Sequence, residues 1–219
     1  MTLSRVCSIL FFLCVSCLSV VAQVDHTDNQ QWTDVQLAIP VTKTIDFNFL
    51  GTLRLGRDIH RPVDERVGAG FTFRLGKHVS FSPNFLNISM QPIPRRIVWE
   101  SRLSLPVQLR FDVGKFRLVE RNLYERRIRN SGLKGNRYRF KLQIEHPVGE
   151  KSWQLAMFVA DEVFYDSVIR RWVRNRFSVG VIKVFNKHFT QDVFYLRQND
   201  GVSVPGDLNV IGTALRIRL

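Results

Sequence analysis

The feature that most constrains the fold of this chain is a period-two alternation of apolar and polar residues. In the segment 136–147, one parity carries apolar and aromatic side chains, namely Tyr138, Phe140, Leu142 and Ile144. The other parity carries charged and polar side chains, namely Arg137, Arg139, Lys141, Gln143 and Glu145. Because successive side chains of a β-strand point to opposite faces, the segment predicts a strand with one apolar face and one densely charged face.

The same alternation recurs in five further segments, which are 44–56, 64–76, 96–111, 175–185 and 209–219. Two other segments are less regular. Segment 115–127 changes phase near Val119, which a β-bulge would explain. Segment 153–164 is apolar on both parities up to Asp161, and we assign Glu162 to the polar face.

Short and longer connections alternate between these segments. The short ones are predicted at 40–43, 76–78, 112–115, 147–152 and 186–188. The longer polar ones are predicted at 57–64, 91–95, 129–135, 165–172 and 199–207. This arrangement is typical of an up-and-down meander with tight turns at one end. The predicted fold class is therefore all-β, an up-and-down antiparallel transmembrane β-barrel of 10–12 strands.

The strand count itself is eleven, whereas single-chain bacterial barrels have even numbers of strands. Either the stretch 31–39 lies outside the wall, which gives ten, or a short strand precedes it, which gives twelve. We favour twelve.

The first 22 residues predict a secretory signal peptide that is cleaved after Ala22. They carry one charge, at Arg5, followed by an apolar middle and by small or apolar residues. All cysteines of the chain lie in this segment: Cys7, Cys14 and Cys17. The mature chain is therefore predicted to have no disulfide and no cysteine metal site. The predicted organisation is a signal peptide at 1–22, a polar lead at 23–31 and a barrel at 32–219.

Two other interpretations of the N-terminal segment are weaker. A lipidated Cys17 is disfavoured because Cys14 stands where a leucine is expected three residues earlier. A membrane anchor is disfavoured because the apolar stretch is short for a spanning helix.

The chain is strongly basic, with a formal net charge of +13. Such a charge suggests either nucleic acid or the anionic surface of a bacterial envelope. An exported chain rarely meets nucleic acid, and the arginines are spread singly rather than in blocks. We predict no nucleic-acid partner and a place in the outer membrane of a Gram-negative bacterium, with membrane lipid and the barrel-assembly machinery as partners. The sequence makes no prediction of the oligomeric state.

Energetics indicate which face of the strands meets lipid. An Arg or Lys at the bilayer midplane costs roughly 2 to 4 kcal/mol, so the face with Arg137 and Arg139 must point into the lumen. Aromatic residues near strand ends favour a membrane interface; they are Trp32, Trp99, Trp153, Trp172 and Tyr195. A soluble periplasmic β-barrel with an apolar ligand inside is the alternative, since its apolar face would point inward.

The polar parity predicts a basic lumen. The residues expected to line it are Arg54, Arg66, Arg74, Glu100, Arg102, Arg110, Arg137, Arg139, Lys141, Glu145, Glu162 and Arg176. An arginine-lined pore would favour anions, which makes a small anionic solute a candidate ligand. An internal arginine–carboxylate network would instead fill the barrel, because ten to twelve strands leave little free space. We favour the filled interior.

No catalytic, cofactor-binding or metal-binding residue is predicted. The histidines are His26, His60, His78, His146 and His188. His78, His146 and His188 lie in or beside predicted tight turns, and no serine has a clear histidine neighbour on the same outward face. A non-enzymatic barrel is therefore preferred to a lipid-modifying outer-membrane enzyme, which stays the alternative.

Three stretches resemble a known family. They are ERNLYERRIR at 120–129, the segment 136–147, and DEVFYDSVIRRWVRNRFSVGV at 161–181. Together they form an arginine-rich strand pair, an acid-plus-aromatic strand and an Asn-Arg strand. The chain resembles, from about Trp32 to its C-terminus, a bacterial family catalogued as domain of unknown function 2490 and described as outer-membrane β-barrels. The resemblance implies a barrel and its compartment, and it implies no activity.

We expect the mature chain to migrate at two positions on a denaturing gel, depending on whether the sample is boiled. A folded membrane barrel resists detergent until heated, because its backbone hydrogen bonds close on themselves. Envelope fractionation followed by this gel tests the prediction. Release from envelopes by salt or alkali without detergent would contradict it.

Overall fold

The computed structural model describes residues 27–219, which consist almost entirely of β-strands. The strands are β1 (Asp28–Pro40), β2 (Ile45–Gly56), β3 (Arg61–Leu75), β4 (Val79–Phe81), β5 (Asn84–Ile93), β6 (Arg96–Val113), β7 (Phe116–Arg129), β8 (Lys134–Val148), β9 (Leu155–Asp166), β10 (Arg171–Val184), β11 (Phe189–Asp200) and β12 (Leu208–Arg218). A 3-10 turn at Lys151–Trp153 follows β8. None of the helical turns in the described part of the chain has the length and apolar character of a membrane-spanning helix. The predicted signal peptide and His26 lie outside the described residues.

These strands occupy eleven positions in one closed wall. β4 and β5 both lie between β3 and β6, and residues 82–83 alone separate them, so they form one interrupted wall strand. All other strands pair with their neighbours in chain order. β1 pairs with both β2 and β12, which closes the ring. The predicted all-β, up-and-down barrel of ten to twelve strands is confirmed.

An odd number of wall positions is accommodated by one parallel pair. β1 and β12 run in the same direction from Asp28↔Leu208 to Ala38↔Arg218, whereas the other neighbouring strands are antiparallel. The stretch 31–39 is therefore a wall strand. The wall closes with an odd number of strand positions, so neither of the two adjustments that would make the number even is required. β1 begins at Asp28, four residues before the predicted start of the barrel.

The connections define two ends of the barrel. The turn end carries connections 41–44, 76–78, 114–115, 149–154 and 185–188, together with the C-terminus. The loop end carries connections 57–60, 94–95, 130–133, 167–170 and 201–207, together with the start of β1. Because β1 and β12 are parallel, the two ends of the described chain lie at opposite ends of the barrel.

The outer face of the wall is apolar and the inner face is polar, as the alternation predicts. Phe49, Val67 and Ile144 point outward and are 49%, 65% and 42% exposed. Asp46 and Asn48, on the other parity of β2, are buried. In a soluble barrel the apolar side chains would point inward and the polar side chains would face the solvent.

Aromatic side chains form an outward cluster near the loop end. Tyr138, Tyr165 and Trp172 lie on three adjacent strands, with ring centroids 6.3 Å apart for Tyr138 and Trp172 and 5.6 Å apart for Tyr165 and Trp172. The prediction of an interface position is wrong for Trp32. Its side chain points into the barrel and is 3% exposed, where its Nε1 donates to Gln30 Oε1 at 2.8 Å.

No bulge interrupts β7. Its register with β6 is continuous from Glu100↔Arg129 to Val113↔Phe116, and its register with β8 is continuous as well. The phase change near Val119 arises because Leu123 is apolar and nevertheless points inward, where it is buried. The apolar pattern of β9 has a similar cause, since Phe158 and Phe164 are buried inside the barrel.

Two glycines of β3 allow the interrupted wall strand to approach closely. A Cβ at Gly70 would lie 2.2 Å from the carbonyl oxygen of Pro83, and a Cβ at Gly68 would lie 2.2 Å from that of Phe85. The obstruction is backbone, which cannot rotate away as a side chain could. Glycine is therefore required at both positions.

We expect the start of β1 and the C-terminus to be accessible from opposite sides of the membrane. Asn29→Cys and Ser131→Cys, both at the loop end, should react with a membrane-impermeant maleimide on intact cells, since this end carries the longest connection, 201–207, and the long connections of such barrels face outward. Lys115→Cys, at the turn end, should react only after lysis, as should a C-terminal tag. If Asn29→Cys and Lys115→Cys both reacted on intact cells, or both reacted only after lysis, the start of β1 would lie at the same end as the turns, and the parallel pairing of β1 with β12 would be contradicted.

Candidate functional site

The inner face carries a continuous network of arginines and carboxylates. Its acidic members are Asp64 on β3, Glu100 on β6, Glu125 on β7 and Glu162 on β9. Each occupies an inward parity, so each is surrounded by basic residues of the neighbouring strands. Carboxylates removed from water need such partners, because an unpaired buried charge is strongly unfavourable.

Glu125 lies at the centre of this network. It is 1% exposed and accepts hydrogen bonds from three arginines. Arg137 Nε donates to its Oε2 at 2.6 Å, while Arg102 and Arg139 reach its Oε1 at 3.2 and 3.3 Å. Charge-assisted contacts of this kind are about twice as strong as neutral hydrogen bonds.

Glu100 holds a second group of arginines. Arg102 donates to its Oε1 through Nε at 2.8 Å and through a terminal nitrogen at 2.5 Å. Arg127 and Arg129 contact its Oε2 at 2.9 and 3.1 Å. Arg102 therefore joins Glu100 to Glu125, and its own side chain is almost completely buried.

Glu162 and Asp64 extend the network to other strands. Glu162 accepts from Arg121 at 2.6 Å and from Arg139 at 2.8 Å, so Arg139 links it to Glu125. Asp64 accepts from Arg66 at 2.5 and 2.7 Å. Asp64 also lies 3.4 Å from a terminal nitrogen of Arg54.

Two inward aromatic rings lie among these arginines. The guanidinium carbons of Arg54 and Arg176 lie 3.8 and 4.7 Å from the Trp32 ring centroid. Those of Arg139 and Arg176 lie 4.6 and 4.8 Å from the Phe164 ring centroid. Aromatic faces attract cations, so the rings stabilise guanidinium groups for which the network has too few carboxylates.

The network divides the interior into two cavities. The loop-end cavity has a volume of about 640 Å³ and the turn-end cavity about 390 Å³. Four arginines line both cavities and are called the arginine layer: Arg54, Arg66, Arg102 and Arg139. The side chains of this layer therefore lie at the boundary between the two cavities.

The loop-end cavity is strongly basic. The arginines that line it are Arg54, Arg57, Arg66, Arg96, Arg102, Arg127, Arg129, Arg137, Arg139, Arg174 and Arg176. Asp28 and Asp64 are its acidic lining residues within the described chain. An enclosed surface with this excess of one charge raises the local concentration of anions.

The structure distributes the predicted lumen residues over both ends of the barrel. Those in the network and its cavities are Arg54, Arg66, Glu100, Arg102, Arg137, Arg139, Glu162 and Arg176. Those nearer the turn end are Arg74, Arg110 and Glu145, whereas Lys141 lies at the middle of β8, opposite Arg121 and Glu162 of the network. Arg74 pairs with Asp46, Glu145 lies 3.9 Å from Arg117, and Arg110 is exposed.

Sequence reasoning missed several members of the site. They are Asp64, Arg121, Glu125, Arg127 and Arg174, together with Asp200, whose carboxylate accepts from Arg174 at 2.6 Å beside the loop-end cavity. Asp64 shares its parity with Arg66, so the alternation already contained that signal. Glu125 and Arg127 were missed because the inward Leu123 obscured the parity of β7.

The described histidines lie at connections or strand ends, outside the network. Nδ1 of His78 lies 2.9 Å from the backbone oxygen of Arg110, and Nδ1 of His188 lies 2.5 Å from that of Arg218. The ring of His146 packs on Phe116 with centroids 4.9 Å apart. Within residues 27–219, no cluster of three or more His, Cys, Asp or Glu residues could hold a metal ion.

A sequence profile of a protein family matches most of the chain. The family is described as protein of unknown function (DUF2490), and the match covers residues 29–208. No curated protein matches the chain significantly in sequence.

Several solved barrels are similar in structure. The anion-selective porin from Comamonas acidovorans is 12% identical, with a TM-score of 0.42 over 81% of this chain and 53% of the porin. LpxR from Salmonella typhimurium is 8% identical, with a TM-score of 0.49 over 80% of this chain and 83% of LpxR. The NanC porin is 12% identical, with a TM-score of 0.46 over 87% of this chain and 96% of the porin. This chain spans about half the length of the Comamonas porin, and none of these similarities supports a shared activity.

We expect Glu125→Gln to lower the free energy of unfolding by about 3 to 5 kcal/mol, because it leaves three buried guanidinium groups without their shared carboxylate. Urea unfolding of the barrel in detergent, followed by tryptophan fluorescence, measures the loss. Asp112→Asn is the matched control, since Asp112 forms an exposed pair with Arg117 at 2.8 Å and should cost less than about 1 kcal/mol. Equal losses in the two variants would contradict a central role for Glu125.

Proposed function

We propose that this chain, which belongs to the DUF2490 family of proteins of unknown function, is a non-enzymatic outer-membrane β-barrel whose lumen is closed by the arginine layer. Ions that pass this layer are expected to be anions. The observation that carries the proposal is the burial of Arg102 between Glu100 and Glu125, at the boundary of the two cavities.

The outward face supports a place in the membrane. Large apolar side chains are exposed around the wall, among them Phe49, Phe85, Leu103, Leu142, Phe177 and Val193. A soluble protein rarely exposes apolar patches larger than a few hundred Å². Lipid around the wall would cover these side chains, and the closed backbone pairing is what a spanning sheet requires. A soluble barrel with an apolar ligand inside fits less well, since the interior is basic.

The last strand supports recognition by the barrel-assembly machinery of a Gram-negative outer membrane. Ile211 and Leu219 are exposed, on the same parity as Leu215 and Ile217. Such an outward apolar alternation at the C-terminus is the kind of signal expected of outer-membrane barrels. Assembly would follow export by the predicted signal peptide.

The density of ion pairs supports a closed lumen over an open pore. Arg102, Glu100 and Glu125 are each at most 2% exposed, so water has little access to the boundary between the cavities. Ten to twelve strands leave an interior between that of a filled eight-stranded barrel and that of a water-filled porin. In this barrel, side chains of the network occupy that space.

The anion preference follows from the charge of the layer. Each of its four members is an arginine, and their carboxylate partners are shared. A ring of arginine or lysine selects anions by the same electrostatics in known pores.

We expect Arg102→Ala to raise the ion conductance of the barrel in a planar bilayer, since it removes the side chain that separates the cavities. The wild-type barrel should show little or no conductance. In a salt gradient, the opened variant should favour anions because Arg54, Arg66 and Arg139 are still present.

Arg110→Ala is the control, because Arg110 is an inward residue that lines neither cavity. A large wild-type conductance that Arg102→Ala leaves unchanged would show that the lumen is open by another path. A chain that does not insert into bilayers at all would contradict the membrane placement rather than the closure.

A further inference from the structure

The loop-end cavity contains a buried guanidinium group with unused hydrogen-bond donors. Arg176 is 6% exposed and lines this cavity. Its Nε donates to Gln198 Oε1 at 2.8 Å, and within residues 27–219 its two terminal nitrogens have no hydrogen-bond acceptor. The carboxylate of Glu162, on the neighbouring strand, is held directly by Arg121 and Arg139 rather than by Arg176. Buried polar groups are normally hydrogen-bonded, and a buried charge without a counterion is costly. These donors face the cavity and are available to an acceptor that enters it.

Arg54 is close to the same position and is only weakly neutralised. Its contact with Asp64 is 3.4 Å long, whereas Arg66 contacts Asp64 at 2.5 Å. Nε of Arg54 is buried and has no hydrogen-bond partner among the described residues. Arg54 and Arg176 both contact the ring of Trp32, so two like charges lie close to one aromatic ring. An anion bound by both would remove their mutual repulsion.

A second group of arginines lies at the mouth of the cavity. Arg57 follows β2, Arg96 begins β6, and Arg129 ends β7. The side chain of Arg57 donates to the backbone oxygen of Gln91 at 3.3 Å, and that of Arg96 has no polar contact within the described residues. The cavity thus has a basic floor, formed by Arg54 and Arg176, and a separate basic rim, formed by Arg57, Arg96 and Arg129.

Apolar side chains line the space between floor and rim. They include Val63, Met90, Val98 and Leu208. The volume of about 640 Å³ lies within the range of about 300 to 1,000 Å³ that is usual for small organic ligands. It is far larger than an inorganic ion requires. The lining includes loop residues such as Asn130, Ser131 and Ser203, so the opening lies at the end of the barrel, where soluble molecules arrive.

We propose that the loop-end cavity binds a small soluble organic molecule carrying two oxyanion groups. Arg54 and Arg176 hold one group at the floor, the rim arginines hold the other, and the apolar wall contacts the carbon skeleton. Arginine suits this task because its planar fork matches the oxygens of carboxylates and phosphates. Binding occurs in the folded barrel whether or not the lumen conducts, so the inference goes beyond the proposed function and can be tested separately.

Trp32 provides a signal for a binding experiment. It lies in the cavity, whereas Trp99, Trp153 and Trp172 are exposed on the outside of the chain. Changing these three to Phe leaves Trp32 as the reporter in the full mature chain folded in detergent. The probes are fructose 1,6-bisphosphate and citrate, with inorganic phosphate and fructose for comparison.

We expect a saturable change of Trp32 fluorescence with at least one of the two multiply charged probes. Inorganic phosphate should bind at least about tenfold more weakly, and fructose should give no response. Arg176→Gln should weaken binding at least about tenfold because it removes a charged donor at the floor. Arg96→Gln should weaken it several-fold, and Arg110→Gln should leave it unchanged.

The result is decisive in either direction. Absence of a saturable response to both fructose 1,6-bisphosphate and citrate would overturn the proposal, as would unchanged affinity in Arg176→Gln and Arg96→Gln. Inorganic phosphate binding as tightly as the larger probes would overturn the two-group arrangement. Heat-modified migration on a gel verifies that each variant is folded. Arg96 is exposed, so its variant tests the rim even if Arg176→Gln fails to fold.

Discussion

A guanidinium group inside a narrow barrel has to be neutralised by a carboxylate from a neighbouring strand, and the rest of this structure depends on that pairing. Glu125 receives Arg102 from one neighbour of β7 and Arg137 from the other. These contacts require the correct strand register, because a slip of one residue would turn the charges outward. The pairs that fill the interior thereby also determine which side chains form the apolar outer surface.

The wall of the barrel could be predicted from sequence because its two faces differ so strongly. Arg137 and Arg139 alternate with Tyr138 and Phe140, and burying such basic residues in lipid is far more costly than exposing them to a wet lumen. Connection lengths then indicated the order of the strands. Neither argument requires knowledge of which side chains meet across the lumen.

The network itself could be predicted only in part. Parity gives the face of a residue but not its partner, and the partners of Glu100 and Glu125 are set by register. Parity also fails where apolar side chains point inward, as Leu123 and Trp32 do. These inward residues pack against other lumen side chains, which is a tertiary effect that alternation within one strand does not record. The odd number of wall positions could not be derived from parity for a related reason, since the expectation of an even count presupposes a wholly antiparallel wall.

The parallel seam suggests how a wall of this kind is related to even-stranded barrels. Strands β2 to β12 form, with β4 and β5 as one unit, a ten-position antiparallel series whose first and last members run in opposite directions. Without β1, that series could close on itself as an ordinary hairpin array. β1 is thus the strand that does not fit a series of antiparallel hairpins, because it pairs with β12 in the parallel direction. It widens the circumference by one strand and contributes Trp32 to the interior, so the parallel seam provides both additional room and an aromatic ring in the cavity.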